Sequence, residues 1–258
     1  YTSSLLEANE DYSSYYLYLK GGNGKYDYLF SESNMTMEQR RVETVTLDYI
    51  FAGQNNDLQP PDFLSLDTQG TEYEILLGAK ETMRETVLAL VIEVGFHQTY
   101  REQRLFGDLC ELLSDSGFHF VRFLGLMESS PFRAPLGLRA QGFQLQGDAL
   151  FIRRVDAISA DQHPDAVNML KKLAFIAIVF NQFEYGLKCL ERASQLEVEE
   201  TPLGLLDQPS YLQFLKALDA TVVKTPRIFP QTFGTRYTFE ASKDRFNGSG
   251  ESLGEAKI

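Results

Sequence analysis

The sequence predicts an α/β fold with a parallel sheet, followed by an α-helical extension. Between residues 62 and 155, short apolar runs alternate with amphipathic segments, which is typical of a parallel sheet with helices packed on its faces. After residue 155 the apolar residues recur at helical spacing in two consecutive segments. We therefore expect two regions, a sheet domain over residues 1–155 and a helical extension over residues 156–258.

Short apolar or alternating runs, flanked on both sides by turn residues, indicate the strands. We expect strands at residues 42–47, 63–67, 87–94, 118–124 and 149–153. We expect helices at residues 48–51, from Thr71 onward and at residues 105–116. The helix after Thr71 should begin with a capping box, because Glu74 follows that threonine by three residues.

The helical extension contains two expected helices, residues 164–180 and 183–196, joined near Asn181 and Gln182. The spacing of small and large side chains along these two helices fits one tetratricopeptide-type hairpin. A single hairpin cannot bury both of its faces. The hairpin therefore either packs on the sheet domain, which we favour, or binds a protein partner or a second copy through residues 164–196. An irregular tail is expected from Lys224 onward.

The composition excludes several classes of function. The net charge is -12 and the pI about 4.8, which disfavours a nucleic-acid binder and a protein that docks on an anionic membrane. The longest apolar run, residues 173–180, is far shorter than the roughly 20 residues of a membrane span. We expect a protein without a membrane span and without a nucleic-acid partner.

The cysteines and histidines bound the chemistry further. Cys110 and Cys189 are too few for a disulfide framework, so a reducing compartment, the cytoplasm, is expected. The sequence has no zinc-type spacing of Cys and His, no nucleophile elbow and no phosphate-binding loop. We expect no metal site, and we expect His119 and His163 to be structural.

Polar residues that could carry chemistry follow two of the expected strands. Ligands of open parallel sheets bind beyond the carboxyl ends of the strands. Asp67 ends the first core strand, and Glu93 lies at the end of the second, amid apolar neighbours where a carboxylate needs a partner. His97 follows in the next loop, on the same edge. Asp67 could instead cap its turn, Glu93 could equally make a structural hydrogen bond, and a lone His is more often a surface or packing residue.

Several segments together resemble the FkbM-type methyltransferases. Residues 62–79, DFLSLDTQGTEYEILLGA, are similar to that family's strand ending in Asp-x-(Gln or Glu)-Gly, followed by Ala-Glu-x-x-(Val or Ile)-Leu-x-Gly-Ala. Residues 91–100, VIEVGFHQTY, resemble its Glu-Val-x-Phe-x-x-x-Tyr segment. Residues 2–6 and 42–48 look like two upstream landmarks of the family. The resemblance covers residues 1–155 and implies a Rossmann-like class I methyltransferase sheet that uses S-adenosylmethionine.

The sequence also departs from that family. Thr71 stands where the family usually has Ala, and a usual Pro near Gln98 is absent. The family's Gly-rich cofactor loop and its acidic ribose-binding residue should precede Thr2. We therefore expect the chain to carry the C-terminal half of the methyltransferase sheet, the equivalents of strands four to seven, and to lack an N-terminal portion. Such a chain alone should bind S-adenosylmethionine weakly or not at all.

The resemblance implies an S-adenosylmethionine-dependent O-methyltransferase that acts on a hydroxyl of a sugar or another small metabolite. Asp67 and His97 are the candidates for orienting or deprotonating that hydroxyl. Gln69, Glu72 and Glu93 are the candidates for the cofactor-binding residues. The alternative is a non-catalytic, methyltransferase-like interaction module that binds a protein partner through its helical extension.

Overall fold

The structure, a computed structural model, describes residues 3–9, 38–52, 58–129 and 143–200, with 213, 216–218 and 220. The chain divides into two compact units, residues 1–189 and 190–258. The sheet, the candidate site and the first helix of the extension all belong to the first unit. The expected tail from Lys224 onward lies outside the described residues.

Residues 213, 216–218 and 220 are helical, and the other described residues contain six α-helices and four strands. In chain order they are α1 (Leu47–Ala52), β1 (Phe63–Leu66), α2 (Glu72–Leu77), α3 (Lys80–Glu85), β2 (Ala89–Gly95), α4 (Phe106–Asp115), β3 (Phe118–Ser129), β4 (Phe143–Arg153), α5 (Ala166–Val179) and α6 (Phe183–Glu200). A 3-10 turn at Val155–Ala157 follows β4. The predicted strands of the sheet and the predicted helices α4, α5 and α6 are confirmed, while β3 and β4 are longer than the sequence indicated.

The four strands form one mixed sheet in the order β1-β2-β4-β3. Strands β1 and β2 are parallel, whereas β4 runs antiparallel to both β2 and β3. The expectation of a parallel sheet is therefore only partly correct. Helices lie between β1 and β2 and between β2 and β3, whereas the sequence of residues 130–142, outside the described part of the chain, has no helical periodicity. A parallel neighbour needs a long crossover connection, usually a helix, so an antiparallel β4 agrees with this sequence.

The core lies between this sheet and helices α2, α3 and α4. One face of β2 contributes Leu90, Ile92 and Val94, which are fully buried. The helices contribute Leu76, Met83, Leu109 and Leu113 to the same core cluster, and the other strands add Leu66, Phe118 and Phe151. Burying one such Leu or Ile side chain stabilises the fold by about 2 kcal/mol. This packing fixes β2, and with it the residues at both of its ends.

Residues 42–47 do not form the predicted strand; residues 42–46 have no regular structure, and α1 begins at Leu47. The hydroxyl of Thr46 accepts a hydrogen bond from the Tyr49 amide at 3.1 Å, which caps the new helix. Val42 and Val45 are both exposed, so the alternation buries no face. A local cap has outweighed a strand pattern that has no partner strand.

The single helix expected after Thr71 is divided into α2 and α3. Asp48, at the start of α1, accepts hydrogen bonds from the Glu81 and Thr82 amides at 3.0 and 2.8 Å and from the Thr82 hydroxyl. These amides belong to the first turn of α3, whose unpaired N–H groups need such an acceptor. Burial raises the pKa of Asp48, but the hydrogen bonds from Thr82 and Glu81 outweigh it and lower the pKa overall.

Side-chain contacts attach helix α5 and the first turn of α6 to the sheet domain. The ring of Phe180 stacks on Phe63 with centroids 5.9 Å apart. Lys172 Nζ lies 2.9 Å from Asp62 Oδ1. The Tyr185 hydroxyl donates to the Arg153 carbonyl at 2.7 Å. Partner binding through residues 164–196 remains a prediction.

Arg153, at the end of β4, joins this strand to the last turn of α3 and to Val87, which lies between α3 and β2. Its guanidinium donates to the carbonyls of Val87 at 2.8 Å, of Arg84 at 2.9 Å and of Met83. Met83 and Arg84 form the last turn of α3, so a cation meets the negative end of that helix. The Arg153 side chain is almost completely buried, and His163 lies beside it, with Nε2 3.1 Å from the Arg84 carbonyl oxygen. His163 is therefore part of the core, in line with the structural role expected for it.

Candidate functional site

The turn after β1 has an unusual backbone. Gln69 and Gly70 have φ angles of 60° and 107°, both in the left-handed region. A side chain at position 70 would meet Tyr100 Cδ2 at 3.0 Å and Leu6 Cδ1 at 3.2 Å, so this position requires Gly. For Gln69 the same region costs about 1–2 kcal/mol. Other contacts must therefore hold Gln69 in place.

The segment formed by residues 3–9 provides one of these contacts. The Ser4 hydroxyl donates to the Gln69 carbonyl at 2.6 Å and accepts from the Leu6 amide at 3.0 Å. The same segment pairs with residues 99–101, where the Asn9 amide donates to the Thr99 carbonyl. Residues 3–9 are thus attached to both loops of the candidate site, the turn at Gln69 and the loop at residues 99–101.

Glu72 stabilises the turn through hydrogen bonds to its carboxylate. Its carboxylate accepts the Thr68 amide at 2.8 Å, the Thr68 hydroxyl at 3.1 Å and the Gly70 amide at 3.1 Å. The residue is only 4% exposed. Carboxylates are rarely so buried unless hydrogen bonds compensate the lost water. Its contacts give Glu72 a role in fixing the turn; its predicted cofactor contact stays a prediction.

The capping box expected from Thr71 and Glu74 does not form. The Thr71 side chain makes no cap to α2 and instead donates to the Thr68 hydroxyl at 3.1 Å. Glu72 takes the capping role, because its carboxylate reaches back to the amides of the turn that precedes the helix. The sequence pattern pointed to the correct helix start and to the wrong carboxylate.

The side-chain amide of Gln69 joins the two strand ends. Its Nε2 donates to Asp67 Oδ1 and to Glu93 Oε2, each at 2.8 Å. Its Oε1 accepts the Tyr100 hydroxyl at 3.0 Å. Three of the predicted site residues, from the ends of β1 and β2, therefore lie in one hydrogen-bonded group. Asp67 is its exposed member.

Strand β4 adds two polar residues to the same face. Gln146 Nε2 donates to Glu93 Oε1 at 2.6 Å. Asp148 is paired directly opposite Glu93 in the antiparallel register, and opposite residues of paired strands point to the same face. Asp67, Glu93 and Asp148 thus form a row of carboxyl groups across three adjacent strands, which we call the acidic row.

The acidic row changes the protonation of Glu93. Burial raises the pKa of Glu93 to about 8, and the negative charges of Asp67 and Glu72 contribute next, followed by a hydrogen bond with Asp67 and the charge of Asp148. Glu93 is therefore mostly protonated at neutral pH and can donate a hydrogen bond to Asp67. Burial, with Glu93 as neighbour, also raises the pKa of Tyr100 to about 12.

His97 lies in the loop between β2 and α4, as the sequence predicted. Its ring is 6.2 Å from that of Phe143 at the start of β4. In the same loop, Gln103 Oε1 accepts the Thr99 and Tyr100 amides at 3.0 and 3.2 Å, which sets the position of Tyr100. His97 and the acidic row therefore belong to the same edge of the sheet.

Sequence reasoning assigned no role to Tyr100, Gln146 or Asp148. Tyr100 ends the segment VIEVGFHQTY, in which the sequence indicates no role for it. Gln146 and Asp148 precede the residues that were expected to form the last strand. The alternation of polar residues at 144, 146 and 148 with Leu145, Gly147 and Ala149 was the available signal, because it extends the strand toward its true start.

The comparison with protein families identifies the domain in which most of these residues lie. Residues 2–120 match the family described as Methyltransferase FkbM domain. Residues 2–120 are an FkbM methyltransferase domain. The FkbM domain contains Asp67, Gln69, Glu72, Glu93 and His97, while Gln146 and Asp148 lie beyond its end. No curated protein and no solved structure matches the chain.

The FkbM domain implies methyl transfer from S-adenosylmethionine to an acceptor. The mixed sheet with its helices is consistent with a Rossmann-like methyltransferase. Among the described residues, no three His, Cys, Asp or Glu side chains are arranged to hold a metal ion. In the same part of the chain, no helix is long and apolar enough to cross a membrane.

Proposed function

We propose that the chain is part of an S-adenosylmethionine-dependent O-methyltransferase that acts on a hydroxyl of a sugar or another small metabolite. One observation carries the proposal: within the FkbM domain, Gln69 joins the carboxyl groups of Asp67 and Glu93 at the carboxyl ends of two parallel strands. Ligands of such sheets bind at this edge. Carboxyl and amide groups are hydrogen-bonding partners suited to hydroxyl groups.

The carboxyl groups at this edge fit the positive charges of the cofactor. S-adenosylmethionine carries a positively charged sulfonium, which supplies an activated methyl group, and a positively charged ammonium. We propose that Gln69 and Glu93 face the cofactor, while Glu72 contributes by holding their turn. Next to a cation the charged form of Glu93 becomes more favourable, so cofactor binding should release its proton.

Asp67 is the proposed group that orients the acceptor hydroxyl and takes its proton, with His97 as the second group. Asp67 is exposed, and Gln69 fixes one of its oxygens, which leaves the carboxylate directed and accessible. The hydroxyl must lose its proton as its oxygen gains the methyl group. A positioned base of this kind contributes typically 10²–10⁴-fold to a rate.

Calorimetric titration with S-adenosylmethionine tests the cofactor assignment. Titrations at pH 7 in buffers of different ionisation enthalpy count the protons released on binding. The full-length protein should release close to one proton, and the Glu93→Gln variant should release none. Binding that releases the same number of protons in both proteins would remove Glu93 from the cofactor site.

The acceptor class is tested with S-adenosylmethionine labelled in its methyl group. The full-length protein is incubated with a panel of sugars and hydroxylated metabolites, and the products are treated with alkali. A methyl ether survives alkali, whereas a methyl ester is hydrolysed. Label that stays on the carbohydrate after alkali supports O-methylation of a hydroxyl, and label lost to alkali contradicts it.

The second candidate, a non-catalytic interaction module, is favoured by one observation. Phe175 and Val179, one turn apart on α5, are 70% and 58% exposed. Such a pair could contribute to a contact with a partner protein or a second copy. A correctly folded full-length protein that binds no S-adenosylmethionine would favour this function over methyl transfer. We propose the cytoplasm as its location; the free thiols of Cys110 and Cys189 support a reducing compartment.

A further inference from the structure

Gln146 occupies a special place beside the proposed site. It lies on β4, beyond residue 120, where the FkbM domain ends. The antiparallel register pairs it with Gly95, the last residue of β2. Its side chain is half-buried and donates to Glu93 Oε1 at 2.6 Å, while Gln69 donates to the other oxygen, Oε2, at 2.8 Å. Each oxygen of Glu93 thus has its own amide donor.

Two neutral amides act differently from a cation at the same place. An Arg or Lys would pair with Glu93 and hold it ionised. An amide donor fixes the rotation of the carboxyl group but adds no positive charge. The negative charges of Asp67, Glu72 and Asp148 therefore remain effective at Glu93, and the phenol of Tyr100 and the ring of His97 are the other titratable groups on this edge.

We propose that Gln146 is a positioning residue of the site, which together with Gln69 clamps the Glu93 carboxyl group and directs it toward Asp67. The inference rests on the proposed role of Glu93 in methyl transfer. It extends the functional site across the sheet to β4, outside the segment that the family defines. It also gives a reason for the polar side chain at position 146 of β4, whereas Gln144 is exposed and makes no contact with Glu93 that the structure shows.

The test is the titration of Glu93 itself, without cofactor or acceptor. In the whole chain, labelled with ¹³C at the glutamate carboxyl carbon, the Glu93 resonance is assigned by its loss in the Glu93→Gln variant. Gln146→Leu removes a donor that favours the charged form, so the apparent pKa of Glu93 should rise by about half a unit or more. Gln146→Lys supplies a cation and should lower it by at least about one unit.

Gln144→Leu and Gln144→Lys are the matched controls, because they change the same residue type two positions earlier on the same strand. They should leave the titration within about 0.2 units. Gln146→Lys and Gln146→Glu keep a polar side chain. If Gln146→Leu fails to fold, the titration of Glu93 is measured in these two variants. The inference is overturned if folded Gln146 variants titrate like the wild type. Failure of S-adenosylmethionine binding would overturn the proposed function and leave this titration unaffected, so the two outcomes are distinguishable.

Discussion

The two ends of the β2–β4 strand pair each carry an ionisable side chain, buried at Arg153 and half-buried at Glu93, and the two differ in the charges and hydrogen-bond partners around them. At one end, Arg153 donates to the carbonyls of Val87, Arg84 and Met83. At the other, Glu93 meets two neutral amides and a row of further carboxyl groups. The fold compensates the positive charge of Arg153 with carbonyl acceptors, whereas Glu93 faces neutral amides and other carboxyl groups, which do not compensate a negative charge.

The protonation states follow from this difference. Burial lowers the pKa of Arg153 to about 10, which still leaves it charged at neutral pH. Its guanidinium also lies 5.2 Å from the ring centroid of Phe118, a favourable cation–π contact. Glu93, in contrast, gives up its charge at neutral pH. A pKa shifted by burial together with specific charged neighbours is a feature of many functional sites, and structural groups such as Arg153 show shifts as well. The comparison supports a structural role for Arg153 and the proposed role of Glu93 in the site.

The largest effect is expected at the structural end. Arg153→Met should reduce the free energy of unfolding by about 3 kcal/mol or more, because three carbonyl groups lose a donor in a buried place. Urea unfolding measures this loss. Arg122→Met, at an exposed position of β3, is the control and should change stability little. A loss below about 1 kcal/mol for Arg153→Met would show that other donors satisfy these carbonyls.

At the chemical end, Asp67→Asn should leave the fold intact and reduce methyl transfer at least tenfold, roughly 1.4 kcal/mol of transition-state stabilisation. The Asn oxygen can still accept from Gln69, so the turn keeps its bond while the charge is lost. Asp115→Asn removes the same charge at the exposed end of α4 and should retain full activity. An unfolded Asp67→Asn variant whose folded fraction is fully active would make Asp67 a cap of its turn only.

A smaller effect is expected where the helical extension contacts the structural end. Tyr185→Phe removes a hydroxyl that donates to the Arg153 carbonyl and accepts from the Val155 amide at 3.1 Å. The free energy of unfolding should fall by about 1–2 kcal/mol without a change in methyl transfer. Tyr49→Phe, on the exposed side of α1, is the matched control.

Limited proteolysis of the intact protein examines the same contact. Helix α5 packs on the sheet domain, so cleavage between Val155 and Pro164 should be slow in the wild type and faster in Tyr185→Phe. Rapid cleavage of the wild type there, with release of a stable N-terminal piece, would contradict a packed extension and favour the partner-binding alternative.

The sequence allowed the local elements to be predicted, together with one half of the site. Apolar runs placed β1 and β2, and the rule that ligands bind at carboxyl ends selected Asp67 and Glu93. The contacts of Glu93 with β4 could not be predicted, because the pairing of Glu93 with Asp148 depends on a register between strands more than 50 residues apart. Periodicity is local, and register is set by tertiary packing.

The two wrong predictions, the strand at residues 42–47 and the capping box at Thr71, have a common cause. The alternation at residues 42–47 met the pattern of a strand, but the structure pairs it with no neighbour among the described residues. The capping box at Thr71 and Glu74 met the pattern of a helix start, but the buried Glu72 was better placed to accept the amides of the turn. In both cases a specific side-chain acceptor decided between conformations that the pattern left open.

The pH dependence of folding tests the central claim, that the fold holds Glu93 protonated, most directly. The pKa of Glu93 is raised in the folded state, from an ordinary value near 4.5 to about 8. Its stabilising contribution is therefore complete below about pH 4.5 and disappears as the pH rises through about 8. Urea unfolding of the wild type and Glu93→Gln across this range isolates Glu93, since the other titrating groups are common to both proteins. We expect the wild type to lose stability relative to the variant between pH 5 and pH 9. A constant difference across that range would contradict the account.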